Sequence, residues 1–261
     1  MHTRTTISSA LAICLAIVAY TAHAGLPMQS GGLAAVDAPS KSVVSAPADL
    51  DSVLNSRCPG AVLQTEPANQ NKWNPSTKTA VAMPSLRLKL LEMTRMDQDA
   101  RQALTAIGSE VTEDDPKVKQ LKSVDASNLL ELKHLIKRYG FPTPHLVGND
   151  GVHAAWLLTQ HADADPTFQA KLLPEVHELV KRGEILGADY ALLTDRILVA
   201  QGKRQQFGSQ FDMSTFTPFP IADPVNVDVR RAALGLGPLK DYACFLKAMY
   251  SSDQKSTDRR N

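Results

Sequence analysis

The sequence has no apolar run long enough to cross a bilayer, which takes about 20 residues. Its most apolar stretch, Ala10–Ala19, is half that length. There is no charge excess either: 28 Lys and Arg stand against 27 Asp and Glu. That balance argues against nucleic acid or an anionic membrane as the main partner. Cysteine is scarce, at three residues. A Gly-x-Ser-x-Gly elbow, a Walker loop, a Cys-x-x-Cys pair and a dinucleotide glycine pattern are all missing. Their absence lowers the case for the commonest hydrolases and for nucleotide cofactors, while leaving other catalysis open.

The first 24 residues have the form of a cleavable export signal. Arg4 gives the positive start, Ala10–Ala19 the apolar stretch, and Ala22-His23-Ala24 the small residues before cleavage. Cys14 is no lipoprotein cysteine: Ile13 precedes it, and it sits inside the apolar stretch. The expected location is periplasmic or secreted, without a membrane anchor. Cleavage leaves Cys58 and Cys244, a pair that an oxidising compartment favours as a disulfide. Two separate buried thiols are the alternative.

Residues 25–50 read as a flexible Gly/Ala/Ser/Pro linker and 51–84 as an irregular segment, with one or two helical turns before Cys58. A single helical domain of about six helices is expected over 85–250, with an extended or β-hairpin insertion near 204–223 and a charged tail at 251–261. Leu86, Leu90, Met93, Ala100, Leu104 and Ile107 form one helical stripe. Asp97 fills a gap in that stripe, with Arg101 one turn on. A second helix is expected over 127–139, capped by Asp125, with Leu129, Leu132, Ile136 and Tyr139 inward. A third, 151–162, is apolar almost all round and therefore central. Asp165-Pro166 opens a fourth, which Pro174 should kink or interrupt. A fifth, 188–201, carries Asp195 and Arg196 amid apolar residues. Asp223 and Asp228 offer caps for a short helix carrying Arg230 and Arg231, and a last helix follows Pro238 with Leu239, Tyr242, Leu246 and Met249 inward.

Charge on buried helix faces demands partners, because an unpaired buried charge costs several kcal/mol. Asp97, Gln160, His161, Asp163, Asp195 and Arg196 are therefore expected to converge on one polar pocket. A network that only fixes helix register is the competing reading. His161 is the acid–base candidate, with Asp163 or Asp195 to orient it; a core histidine bonded to a backbone carbonyl is the alternative. Arg196, Arg230 and Arg231, with Gln160 and Gln210, could clamp an anion. A solvated helix face is the alternative for Arg230 and Arg231. No metal and no cofactor is expected, since His161, Asp163 and Asp165 point apart at a spacing of two.

These residues also carry a resemblance. The chain resembles an uncharacterised bacterial family recorded only as a domain of unknown function. The matching residues are Asp97-Gln98 with Arg101, Tyr139-Gly140-Phe141-Pro142, Ala154-Ala155-Trp156-Leu157-Leu158 running into Gln160-His161-Ala162-Asp163, Phe168-Gln169, and Asp195-Arg196. Gln205 with Gly208 and Gln210, Pro220-Ile221, Asp228 with Arg230-Arg231, and Gly235-Leu236 complete the set. The likeness spans Leu86 to Tyr242. Phe207-Gly208-Ser209-Gln210 departs from a usual Tyr-Gly-Thr-Gln. The resemblance implies a shared fold and pocket but no reaction; the candidate ligand-binding residues are Asp97, Arg101, Gln160, Arg196, Gln210, Arg230 and Arg231.

The expected function is a cell-envelope binding module for a small anionic ligand or a partner protein, of an immunity or inhibitor type. The alternative is a periplasmic enzyme with His161 and Asp163 or Asp195 as acid–base and arginines holding an anion.

Overall fold

The computed structural model describes residue 58, residues 81–105 and residues 112–251, with the side chains of 105 and 249–251 outside that description. Expectations for the other residues, including Ile107 and the Met249 side chain, fall outside it. The architecture is mainly helical with a small antiparallel hairpin. In order, the elements are α1 (Pro84–Thr105), α2 (Pro116–Tyr139), α3 (Pro144–Gln160), α4 (Pro166–Lys181), α5 (Gly187–Ala200), β1 (Phe211–Asp212), β2 (Thr217–Pro218), a 3-10 turn (Pro224–Asn226), α6 (Val227–Ala233) and α7 (Leu239–Ser251). Seven α-helices thus stand among the described residues, in keeping with the expected helical domain.

The α1 stripe is buried as its period predicts: Leu86, Leu90, Met93, Asp97, Ala100 and Leu104 all face inward. It packs on α3 and α2. The largely apolar α3 is central, with Trp156 fully buried and its indole N–H donating to the Asp189 carbonyl at 3.0 Å. A lower core joins Cys58, Phe211, Tyr242, Phe245 and Leu246. There Cys58 and Cys244 form a disulfide, their Cα atoms 5.8 Å apart.

Three local expectations need correction. α2 starts at Pro116 rather than near Ser127, because Asp115 caps it by accepting from the Lys117 N–H at 2.8 Å. Asp125 is therefore mid-helix and caps nothing. The buried line of α2 runs Val118, Leu121, Asn128, Leu132 and Leu135, leaving Leu129 and Ile136 at its margin. Pro174 sits inside α4 without interrupting it. Asp228 caps the last helix, not its own: its carboxylate accepts from the Leu239 N–H at 2.7 Å.

Gly187 opens α5 where the chain passes closest to the end of α6. A Cβ there would lie 2.2 Å from the Leu234 carbonyl oxygen, a backbone atom that cannot swing aside. Gly187→Ala is expected to cost about 1–3 kcal/mol, as over-packing usually does. Urea unfolding checks this; a loss under about 0.5 kcal/mol, within the range of neutral surface changes, would contradict it.

Candidate functional site

α1 and the end of α3 build the site. Residues four apart on a helix share a face, so Asp97 and Arg101 point together toward His161, the residue that closes α3. His161 Nδ1 lies 2.9 Å from each Asp97 carboxylate oxygen. Arg101 donates to the same carboxylate, Nη2 to Oδ1 at 3.1 Å and Nε to Oδ2 at 3.2 Å. Arg101 Nε also stands 3.1 Å from His161 Nδ1. Both contacts at Nδ1 cannot be hydrogen bonds of one species. An ionised carboxylate only accepts, so the assignment that satisfies most groups puts the proton on Nδ1 and directs Arg101 to Asp97. Nε2 is then an acceptor. Among the described residues it has no hydrogen-bond partner, although His161 is only 4% exposed.

The charges agree with that assignment. Burial, then the Arg101 guanidinium, lowers the His161 pKa against the pull of Asp97. Burial alone would raise Asp97, but His161 and Arg101 hold it well below the usual carboxylate range. A buried imidazole beside Arg101 is neutral at neutral pH. Asp97 is held by the Nδ1–H hydrogen bond from His161 and by the Arg101 guanidinium.

A second pair flanks the first. Arg196 on α5 grips Asp163 with two parallel hydrogen bonds, Nε to Oδ1 at 2.6 Å and Nη2 to Oδ2. Asp125 on α2 accepts from Arg101 Nη2 at 2.6 Å. Burial pushes Asp125 up to about 7; Arg101 opposes this, while Asp97 and Asp163 add to it. Asp125 and Asp163 form the wetted rim, their side chains 28% and 34% exposed. Asp97, Arg101, His161, Asp163 and Arg196 are thus brought together, and Asp125 joins them unforeseen. No local signal marks it: its partner Arg101 is 24 residues away.

Gln160 is fully buried, and neither atom of its amide has a partner among the described residues. Its own carbonyl and that of Thr159 are held by Gln169 Nε2, at 3.2 and 3.0 Å. Gln169 thereby fixes the turn that presents His161. It stood in the family-like pattern but not among the expected site residues.

Asp195, Gln210, Arg230 and Arg231 are placed elsewhere, in a structural cluster. The Asp195 carboxylate accepts from the backbone N–H groups of Gln206 at 2.7 Å, Phe207 at 3.0 Å and Ser209 at 2.8 Å. Burial raises its pKa, with those N–H groups opposing. The wrap needs Gly208 at φ 67°, and its missing Cβ leaves room for Leu239. Gln210 donates its backbone N–H to Gln205 Oε1 at 2.9 Å. Arg230 donates to the carbonyls of Gln206, Ala222 and Asp223. Arg231 donates to those of Gly237 and Phe207 and lies over the Tyr242 ring. Carbonyls at chain reversals need donors, and these two arginines supply them. The carboxylate that touches His161 is therefore Asp97, not Asp163 or Asp195, and Arg230 and Arg231 form no clamp with Arg196. Phe207, at the tyrosine-like position, packs edge-on against Tyr190, ring centres 6.2 Å apart.

Residues 84–255 match a family described as a family of unknown function, DUF6624, and the chain belongs to it. No curated protein and no solved structure matches the chain. Among the described residues no helix is long and apolar enough to cross a membrane, and no group of three or more His, Cys, Asp or Glu side chains could hold a metal ion.

Proposed function

We propose that this is an exported cell-envelope domain that binds a small ligand at His161. The observation that carries the reading is a buried imidazole nitrogen, held as an acceptor by Asp97 and without a partner among the described residues. A buried polar atom left unpaired costs about 1–3 kcal/mol, so such an atom marks a place for a donor. Arg101 and Arg196 already face carboxylates. An anion would have to displace Asp125 or Asp163 to reach them. A neutral ligand donating an N–H or O–H to Nε2 needs no such exchange, so a neutral, donor-bearing ligand suits the site better than an anion. Export is supported by the signal-like first 24 residues and by a disulfide, which persists in oxidising compartments.

A second reading is an enzyme in which Nε2 takes a proton from substrate. The same Asp97–His161 contact favours it, since a carboxylate on Nδ1–H is how a general-base histidine is oriented.

Thermal shift tests the binding reading. Small envelope metabolites are screened at neutral pH against wild type and His161→Ala. The expected result is a neutral donor-bearing compound that raises the wild-type Tm and leaves the variant unmoved. Equal shifts in both proteins would remove His161 from the site, and stabilisation by anions alone would overturn the ligand class.

A further inference from the structure

One guanidinium nitrogen serves two carboxylates. Arg101 Nη2 stands 2.6 Å from Asp125 Oδ1 and 3.1 Å from Asp97 Oδ1. Asp97 is sealed at 1% side-chain exposure, whereas Asp125 reaches water at 28%. His161 contacts Asp97 and Arg101 but has almost no exposure of its own. Solvent protons therefore meet this triad at Asp125. The charged groups facing Asp125 are Asp97 and Arg101 from α1, Asp163 from the turn before α4, and Arg196 from α5.

We propose that Asp125 is a positioning residue which, through its hold on Arg101, sets how strongly His161 Nε2 accepts a hydrogen bond from ligand. This rests on the reading of Nε2 as the ligand's acceptor and adds the regulation of that site. With Asp125 ionised, Arg101 is divided between two carboxylates, and the field it exerts on the imidazole is weakest. Nε2 is then most basic and ligand affinity highest. With Asp125 protonated, Arg101 turns to Asp97 alone, its charge bears fully on the ring, and affinity falls.

Burial between like charges places this change near pH 7. The effect on folding has a definite sign. The folded carboxyl keeps its proton to about pH 7, while the unfolded one releases it near pH 4. Between those values the folded state binds more protons, so this group's contribution to stability falls as pH rises. Asp125→Asn removes that decline.

The test needs no ligand. The Asp125 carboxyl carbon and the His161 ring nitrogens are followed by NMR from pH 5 to 9, in wild type, Asp125→Asn and Asp125→Glu. The expected result is one shared midpoint near neutrality in wild type, loss of the His161 step in Asp125→Asn, and its return in Asp125→Glu. A purely structural role for Asp125 would leave the His161 step in place. A His161 signal without a step at the Asp125 midpoint, or with the step intact in Asp125→Asn, overturns the proposal. If Asp125→Asn fails to fold, the wild-type titration alone decides. A proton found on Nε2 throughout overturns the proposal together with the acceptor reading, whereas a bare Nε2 with no step overturns only the role of Asp125.

Discussion

Replacing Cys58 and Cys244 by serine is expected to destabilise the domain by about 3–5 kcal/mol, near the upper end for any disulfide. The bridge spans 186 residues, so it closes a very long loop and removes much freedom from the unfolded chain. Chain-entropy arguments put the ceiling near 5 kcal/mol. Cys58 is also packed with Phe211, Tyr242, Phe245 and Leu246, so serine adds the cost of a hydroxyl in an apolar cluster. For a domain of this size the loss corresponds to a Tm lowered by roughly 6–20 °C. Calorimetry of the double variant, beside wild type with and without a thiol reductant, measures it. A drop under about 2 °C would mean that the tether holds nothing the helices do not already hold.

Asp97→Ala is expected to cost about 3–5 kcal/mol, because it strips a buried arginine and a buried imidazole of their common partner. Asp125 remains as a partner for Arg101, but only at the wetted edge. If the penalty comes from the stranded charge, Asp97→Leu combined with Arg101→Met should recover at least half of it, since buried ion pairs exchange for apolar residues at little cost. Urea unfolding of the single and double variants settles the point. A single-variant loss under about 1 kcal/mol, or no recovery in the double, contradicts this account of the site.

Much of the fold is legible in the sequence for a simple reason. A helix buried on one face shows its period directly, as α1 does, and one buried all round shows no polar face, as α3 and α5 do. Asp97 was legible as a site residue because it breaks a stripe and Arg101 follows one helical turn later. The start of α2 was hidden by its polar first turns, although Asp115-Pro116 repeats the cap-and-proline pair at Asp165-Pro166 that marked α4. Where long-range geometry decides, sequence pattern is silent. Asp195 and Arg196 are adjacent on α5, yet one ties down the 206–209 loop and the other reaches Asp163. Arg230 and Arg231 have the look of an anion clamp, but the carbonyls they meet come from loops whose course no local pattern encodes. Asp125 has the same difficulty in reverse: it resembles a cap and acts across two helices.

The proton position on His161 tests the central claim most directly. Nitrogen-15 spectra of the wild-type protein at pH 7.5 report which ring nitrogen carries it. The account predicts a neutral ring, protonated at Nδ1 toward Asp97 and bare at Nε2. A ring protonated at Nε2, or at both nitrogens, would contradict it.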